Sequence, residues 1–295
     1  MQKNNKTKRQ QGFSFIDILV GLALFSIILF TTVTFVITQK KFTKQKNKQL
    51  HSIAKQQIIF NLLANPIRKA GFWGCKSLYS DIPIQGLNNK NPMIAFARKS
   101  AGWQPALPTE LQKKVAANSD VLFINAVKLP PTHLIENVSG MSDTIITPKS
   151  FKVKVNDEVI ISDCYASDVV KIRAIQVLAK GNELRLNQKL SKSYSKNAYV
   201  MPRDASFFYL GNTARKDKQG KPVIALYKQP LQGRRQELVE NVSHLQFDFA
   251  TQQNNEVYYM SAEKILAWQE VKLVKITVQM EENHFHTEVA LRNAQ

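Results

Sequence analysis

The stretch Gly12-Phe13-Ser14-Phe15-Ile16-Asp17 and the uncharged run Ile18–Ile37 that follows it decide the fold. As an α-helix, the run would span about 30 Å, the thickness of the hydrocarbon core of a bilayer. A secretory signal peptide has a shorter apolar segment that ends at a small-residue cleavage site, and this run has no such site. No comparable apolar run follows. The sequence therefore predicts a single membrane-spanning helix near the N-terminus.

The quoted stretch resembles the class III signal peptide of the type IV pilin superfamily. The family pattern is a short basic leader, a glycine, a phenylalanine, an acid at the fifth mature position and a hydrophobic helix. Here residues 1–12 form the basic leader, and Asp17 is the acid. The resemblance implies that prepilin peptidase cuts after Gly12 and methylates the new N-terminal amine of Phe13. An uncleaved signal anchor is the alternative.

Asp17 departs from the family pattern, in which the acid is nearly always glutamate. A charged carboxylate inside a bilayer is unfavourable unless it has a partner. In the family, that partner is thought to be the N-terminal ammonium of a neighbouring subunit, so the resemblance implies subunit pairing through Asp17 in the helix core. Aspartate is one methylene shorter than glutamate, which favours a minor subunit over an abundant shaft subunit.

Basic residues flank the apolar run on both sides, so the charge rule for orientation does not place the body. The leader contains Lys3, Lys6, Lys8 and Arg9, and the run is followed by Lys40, Lys41, Lys44, Lys46 and Lys48. The cleavage motif instead places the body outside the cytoplasm. We expect a single-pass precursor in the inner membrane with its body in the periplasm, which then enters a pilus at the cell surface.

The helix is predicted to continue beyond the membrane, because no Gly or Pro occurs between Thr38 and Ala64. Residues 38–75 hold eight basic residues and no acid. Apolar residues recur at spacings of three and four and predict a stripe that packs on a sheet: Leu50, Ile53, Ala54, Ile58 and Leu62. Asn65-Pro66 predicts a kink or a short continuation, and Gly71 predicts the end of the helix. Pairing of this segment with a partner helix is the alternative.

Residues 76–295 are predicted to form a β-rich extracytoplasmic domain, because short apolar runs and period-two patterns dominate. The predicted strands are Asp120–Val127, Glu158–Cys164, Asp168–Leu178, Glu183–Leu186, Ser206–Leu210, Val223–Tyr227, Leu245–Phe249, Val271–Met280 and Phe285–Leu291. Turns are predicted at 180–182, 216–221 and 281–284, and a helical turn at Ala262–Trp268. The fold class is therefore α+β, with one long N-terminal helix in two halves (13–37 and 38–75) and an antiparallel sheet.

Cys75 and Cys164 are the only cysteines in the chain, which excludes a disulfide-dense scaffold and a four-cysteine zinc site. In an extracytoplasmic body, a disulfide between them is expected. It would tie the end of the helix to the sheet domain. Two free buried thiols are the alternative.

The body looks like the PilW family of minor pilins over essentially the whole mature chain. The resemblance rests on the order of several stretches: Ala70-Gly71-Phe72-Trp73-Gly74-Cys75 after the helix, Ser119-Asp120-Val121-Leu122 at a strand start, Asp157–Cys164, Glu237–Val242 and the strand Val271–Met280. By architecture, the resemblance extends to the pseudopilins of type II secretion.

The chain carries no motif of a known catalytic site, so we predict no enzyme activity and no cofactor. It has no G-x-S-x-G, H-E-x-x-H or P-loop sequence. His284, His286 and Glu288 alternate on one face of a predicted strand, as metal ligands could. A solvated outer face explains the same pattern, and we predict no metal site.

The chain has a net charge of +19, and part of that charge lies beside tyrosines in the body. Basic groups interleaved with aromatic rings suit DNA, which they bind by neutralising phosphates and stacking on bases. The residues in question are Lys189, Lys192, Tyr194, Lys196, Arg215, Lys216 and Lys218. Charge complementarity with acidic subunits is the favoured explanation, and DNA contact is the alternative.

The resemblance implies a non-catalytic role in assembly. The chain would join other minor pilins in a complex that primes pilus assembly and caps the fibre, with the major pilin, prepilin peptidase, the inner membrane and a tip adhesin as partners. Two alternatives stay open: a pseudopilin of a type II secretion system, and a DNA-binding pilin for uptake.

Overall fold

The computed structural model describes residues 15–73, 84–85, 93–99, 102–104, 106–128, 130–231, 233–253, 256–265, 268–280 and 283–291. By its internal contacts the chain divides into two units, the first ending at Ala54 and the second beginning at Lys55. The leader residues, Gly12, Phe13 and Cys75 lie outside the described residues. The boundaries expected at residues 12, 37 and 75 stay predictions.

Helix α1 (Phe15–Arg68) confirms the predicted long N-terminal helix, and its apolar part is long enough to cross a membrane. The hydroxyl groups inside this part donate to backbone carbonyls one turn earlier, as Thr32 does to Ile28 (2.7 Å) and Thr38 to Thr34 (2.8 Å). These bonds satisfy the hydroxyls within the helix itself, as an apolar environment requires.

The buried face of α1 in the second unit differs from the predicted stripe. Ile59, Leu63 and Ile67 are essentially inaccessible and belong to the largest core cluster. In contrast, Leu50, Ile53 and Ile58 are exposed by 63%, 48% and 51%, Ala54 is exposed, and Leu62 is half-buried. Residues four apart lie on one face of a helix, and two such rows run side by side here. Within the second unit, the row that packs on the sheet is therefore the other one, and Ile58 of the predicted stripe stays exposed.

The helix ends as its sequence predicts. Pro66 is accommodated in the last turns, and Gly71 adopts a left-handed conformation (φ 71°) that favours glycine. The amide of Gly71 then donates to the carbonyl of Asn125 in the neighbouring sheet (3.0 Å). This bond attaches the end of α1 to the body.

The described part of the body contains sixteen strands and one short helix. The strands are β1 (Ile84–Gln85), β2 (Met93–Lys99), β3 (Gly102–Gln104), β4 (Val121–Val127), β5 (Thr132–His133), β6 (Thr144–Thr147), β7 (Glu158–Ser162), β8 (Ser167–Val177), β9 (Asn182–Leu186), β10 (Tyr199–Lys216), β11 (Pro222–Pro230), β12 (Gln236–Glu240), β13 (His244–Gln253), β14 (Glu256–Ser261), β15 (Val271–Met280) and β16 (Asn283–Ala290). Helix α2 (Thr109–Gln112) precedes β4, and 3₁₀ turns occupy Ala262–Lys264 and Trp268–Glu270.

Two sheets result, and apart from the parallel pair β1–β8 their named strand pairs are antiparallel. The larger has the order β3-β2-β4-β10-β7-β8-β9-β6, with β11 and β12 added beside β10. The smaller has the order β14-β13-β15-β16. The long strand β10 pairs with β5 and β7 at its start, with β4 in the middle and with β11 towards its end. It therefore links all parts of the larger sheet.

The core divides into clusters that follow from this topology. The largest joins α1 to β4, β10, β13 and β15. A second fills the space between residues 134 and 200 and holds Val159, Val170 and Leu184. A third covers the opposite face of β4, where Leu107 and Leu111 pack on Phe123 and Tyr209. Because both faces of β4 are covered, its side chains are buried throughout.

All nine predicted strands are confirmed, with ends that shift by a few residues and β10 extended in both directions. The turns at 180–182 and 216–221 join β8 to β9 and β10 to β11, and the turn at 281–284 lies partly outside the described residues. Strands β1, β2, β3, β5, β6, β12 and β14 and helix α2 were not predicted. The strand β14, Glu-Val-Tyr-Tyr-Met-Ser, has no alternation of polar and apolar residues, so period two could not reveal it.

The packing predicts which substitutions in α1 destabilise the body. Leu63→Ala should lower the free energy of unfolding by about 2–5 kcal/mol, because it leaves a cavity between helix and sheet. Ile58→Ala, on the exposed row, should change it by less than about 1 kcal/mol. Urea unfolding of the full chain in detergent micelles, followed by tryptophan fluorescence, measures both. Equal effects of the two substitutions would contradict the packing.

Candidate functional site

The apolar part of α1 presents its side chains outward. Every valine, isoleucine, leucine and phenylalanine from Phe15 to Ile37 has an exposed fraction of 44–74%. The basic segment beyond it is also exposed, and the Lys46 amine lies 5.5 Å from the centre of the Phe42 ring. Asp17 lies in the first turn of this helix. Such a surface suits lipid tails or a bundle of similar helices.

Cys164 lies two residues after the end of β7 and is not a free thiol. Cys75 lies outside the described residues, so its pairing with Cys164 stays a prediction. Cys164 lies in the β7–β8 turn, next to the most exposed aromatic side chain among the described residues of the body.

That side chain is Tyr165, whose exposed fraction is 81%. The turn that carries it is held by one carboxylate oxygen. Asp163 Oδ1 accepts from the amides of Tyr165 (2.7 Å) and Ala166 (2.8 Å), and from the ammonium of Lys192 (3.1 Å). The same ammonium lies 5.3 Å from the centre of the Tyr165 ring. The ring is thus solvent-exposed but held on a hydrogen-bonded turn.

The segment 188–198, which carries Lys192, is fixed to the sheet by a buried acid on β8. Asp168 is fully buried, and its Oδ2 accepts from the Ser191 amide (2.9 Å), the Ser191 hydroxyl (3.0 Å) and the Tyr194 hydroxyl (3.0 Å). Burial and the neighbouring Asp168 raise the pKa of Tyr194. The phenol therefore stays protonated and donates. Its role is structural.

Two further aromatic rings lie at the same end of the sheet. Tyr199 begins β10 and pairs in register with His133 on one side and with Ser162, the last residue of β7, on the other. The rings of His133 and Tyr199 are 4.7 Å apart, and His133 Nδ1 is 2.9 Å from the Asn197 carbonyl. We call the set His133, Tyr165, Lys192, Lys196 and Tyr199 the aromatic end.

The structure separates the DNA-contact residues predicted from the sequence into two groups. Lys189, Lys192 and Lys196 lie on the segment that precedes Tyr199, whereas Arg215, Lys216 and Lys218 lie at the other end of β10. This strand has 18 residues, and at about 3.3 Å per residue it extends for roughly 55 Å along its path. Tyr194 presents no ring face to solvent, because it is 2% exposed.

The second group is partly neutralised. Arg215 contacts the carboxylates of Glu237 and Glu240, the latter at 3.2 Å. Asp217 caps the β10–β11 turn by accepting from the amides of Gln219 and Lys221. The nearest ring there, Tyr227, is covered by the guanidinium of Arg235, 4.4 Å from its centre. This end therefore has exposed lysines but no free aromatic face among these residues.

Sequence reasoning did not find Tyr165. Its signal is a tyrosine in the four-residue connection Asp-Cys-Tyr-Ala between β7 and β8, which places an aromatic ring in a tight turn. Tyr194 was selected instead because it lies among lysines. Composition could not show that its hydroxyl has a buried partner.

His284, His286 and Glu288 lie on the exposed face of β16, as the alternation predicts. Glu288 accepts a hydrogen bond from Tyr259, which raises the pKa of that phenol to about 12. Among the described residues, no group of three histidine, cysteine or acidic side chains is placed to hold a metal ion.

Replacement of Tyr194 tests the structural role of its hydroxyl. Tyr194→Phe removes a donor from a fully buried carboxyl group and should lower the free energy of unfolding by about 2 kcal/mol. Tyr165→Phe is the matched control, because this ring is exposed, and should change stability by only a few tenths of a kcal/mol. The measurement is urea unfolding of the full chain in micelles. An unchanged free energy of unfolding in Tyr194→Phe would contradict a structural role for this hydroxyl.

Asp120 predicts a pH dependence of stability. Burial raises the pKa of its carboxyl group from 3.8 to about 6, and the nearby acids Asp248 and Glu263 add to the rise. The hydrogen bond from the Phe247 amide and the nearby His244 act in the opposite direction and lower this pKa. The folded state thus holds a proton between about pH 4 and pH 6 that the unfolded state releases. Stability is greatest at the acid side of this window and falls as the pH rises through it, by at most about 3 kcal/mol.

Asp120→Asn should flatten that dependence, because the amide oxygen can still accept from Phe247 but does not titrate. Thermal unfolding of the full chain in micelles at pH 4, 5, 6 and 7 measures the effect. Asp143→Asn, in an exposed position of a turn, is the control and should leave the slope unchanged. An equal slope in wild type and Asp120→Asn would contradict the assignment to Asp120.

No family model, curated protein or solved structure matches the chain. The resemblance to type IV pilins rests on the leader motif and on the order of the body stretches. The role that it implies is therefore a proposal.

Proposed function

We propose that the chain is a minor pilin subunit, similar to the PilW family, which prepilin peptidase processes and which assembles with other pilins. The observation that carries the proposal is the junction Gly12-Phe13 in the sequence, together with Asp17 in the first turn of a helix of 54 residues. Its first part is apolar and uncovered, and its last part lies in the core of an antiparallel sheet domain. This combination suits a subunit that first resides in a membrane and then joins a helical bundle.

The proposed mechanism is association without catalysis. The apolar surface of α1 would leave the lipid and pack on neighbouring helices, where small gains in van der Waals contact accumulate along the helix. Leu50, Ile53 and Ile58 extend the uncovered row beyond the apolar run. Asp17 would pair with the N-terminal ammonium of a neighbour, which offsets the unfavourable burial of its charge.

The partners expected for this role are other minor pilins, the major pilin and a tip adhesin. A pseudopilin of a type II secretion system would use the same helix and the same processing, so its partners distinguish it. Crosslinking in native cells, followed by mass spectrometry, identifies them. Pilins among the crosslinked proteins support the proposal, and secretion-system pseudopilins favour the alternative.

The processing step gives the most direct test. Intact-mass and N-terminal analysis of the protein from native cells, with and without prepilin peptidase, should give a chain that begins at N-methylated Phe13 only in the first case. A chain that begins at Met1 in both strains would overturn the pilin assignment and leave an uncleaved anchor.

Two glycine variants sharpen this test. Gly12→Val should block cleavage, because the family pattern has glycine at the cut. Gly21→Ala is the matched control: no atom lies within 4 Å of a Cβ added there, and alanine favours a helix. It should be cleaved and methylated like the wild type. Cleavage of Gly12→Val would contradict the assigned junction.

A further inference from the structure

We propose that the aromatic end binds single-stranded nucleic acid, with Tyr165 as a stacking platform and Lys192 and Lys196 as phosphate contacts. This inference goes beyond the assembly role and does not depend on it, since it concerns only residues 133–199 of the body. Five features of the described structure support it.

The first feature is the combination of exposure and order at Tyr165. Burial of a large aromatic ring is favourable because it removes apolar surface from water. The ring of Tyr165 is 81% exposed, so most of its apolar surface stays in water. Here the turn beneath it is held by three contacts to Asp163 Oδ1. A ring that is already ordered loses less conformational entropy when a flat ligand stacks on it.

The second feature is the position of Lys192. Its ammonium lies near the rings of both Tyr165 (5.3 Å) and Tyr194 (5.6 Å) and pairs with Asp163. The Lys192 side chain is 32% exposed, so its ammonium is held in place but is still accessible to a ligand from solvent. A cation in this position places a positive charge beside the stacking surface, where the phosphate next to a stacked base would lie.

The third feature is the charge of the surroundings. Lys189 and Lys196 are exposed on the same segment, and no ion pair to either is present among the described residues. The Lys196 amide donates to Asn137 Oδ1 (2.9 Å), which fixes the backbone and leaves the ammonium in solvent. By formal charge, Lys189, Lys192 and Lys196 outnumber the two neighbouring acids, Asp163 and the buried Asp168. Phosphate groups supply the complementary charge.

The fourth feature is the second pair of rings. The rings of His133 and Tyr199 lie 4.7 Å apart and are tilted by 38° where β5 pairs with β10. Tyr199 is half-buried and is the register neighbour of Ser162, which precedes the Asp163 turn. Successive aromatic rings along a basic surface are the arrangement that single strands use for consecutive bases. A duplex would keep its bases stacked inside and would not need these rings.

The fifth feature separates nucleic acid from neutral glycans, which also stack on tyrosine. Glycan hydroxyls need both donors and acceptors nearby, whereas the charged side chains at this end are mainly ammonium groups, which only donate. The opposite end of β10 lacks a free ring face, because Arg235 covers Tyr227 and acids neutralise Arg215. The aromatic end is therefore the better candidate of the two basic groups.

Fluorescence anisotropy with the full chain in nonionic detergent micelles tests the proposal. The probe is a fluorescein-labelled 20-mer of deoxythymidine, and an abasic strand of the same length is its partner probe. Tyr165→Ala should weaken binding of the thymidine strand by roughly tenfold, and Tyr165→Phe should bind like wild type. The abasic strand should bind wild type and Tyr165→Ala equally. Lys196→Gln should make the dependence on salt concentration less steep.

Tyr258→Ala is the matched control, since this tyrosine is also exposed but lies beside Glu256 on β14, and it should bind like wild type. An unchanged melting temperature of Tyr165→Ala shows that its loss of binding is local. Equal binding of thymidine and abasic strands by wild type would show general polyanion attraction and overturn the proposal. Tyr165-dependent binding of neutral dextran, without binding of the thymidine strand, would identify a glycan site and also overturn it. Neither outcome bears on cleavage at Gly12.

Discussion

The fold of the body depends on the burial of one narrow face of α1. Ile59, Leu63 and Ile67 meet the sheet from one side, and the inner residues of β4, β10, β13 and β15 meet them from the other. The helix thus supplies apolar cover of the kind that a second sheet supplies in a sandwich. Because the same helix continues as an apolar segment, the element that completes the core is also the predicted membrane anchor.

A second constraint acts within the segment 134–200. A fully buried carboxyl group is unfavourable unless it forms hydrogen bonds, and Oδ2 of Asp168 accepts three, from Ser191 and Tyr194. These bonds to Oδ2 fix the segment that leads into β10. That segment carries Lys192, which in turn contacts the Asp163 turn and the Tyr165 ring. The exposed chemistry of the aromatic end is thus determined by a hydrogen-bond network that solvent does not reach.

The sequence predicts elements here better than it predicts contacts. Long periodic or apolar runs such as those of β4, β8 and β15 indicate their own conformation, because their side chains are buried in a regular pattern. The orientation of α1 was not predictable, since two apolar rows of similar strength lie on it and only the sheet selects Leu63 over Ile58. The same limit applies to Tyr194 and Tyr165. A tyrosine among lysines and a tyrosine beside a cysteine look alike until the position of Asp168 is known.

The two basic groups illustrate why charge alone does not define a site. In the sequence, the lysines and arginines of residues 180–235 form one region, but β10 runs between its halves and places them at opposite ends of a long strand. At one end, Arg215 forms ion pairs with Glu237 and Glu240. The guanidinium of Arg235 covers the ring face of Tyr227 there. At the other end, the ring of Tyr165 stays open and the nearest cation is held beside it. Affinity for a polyanion scales with exposed charge, whereas selectivity for bases needs an uncovered ring at a fixed position. Of the two basic groups, only the aromatic end meets the second condition.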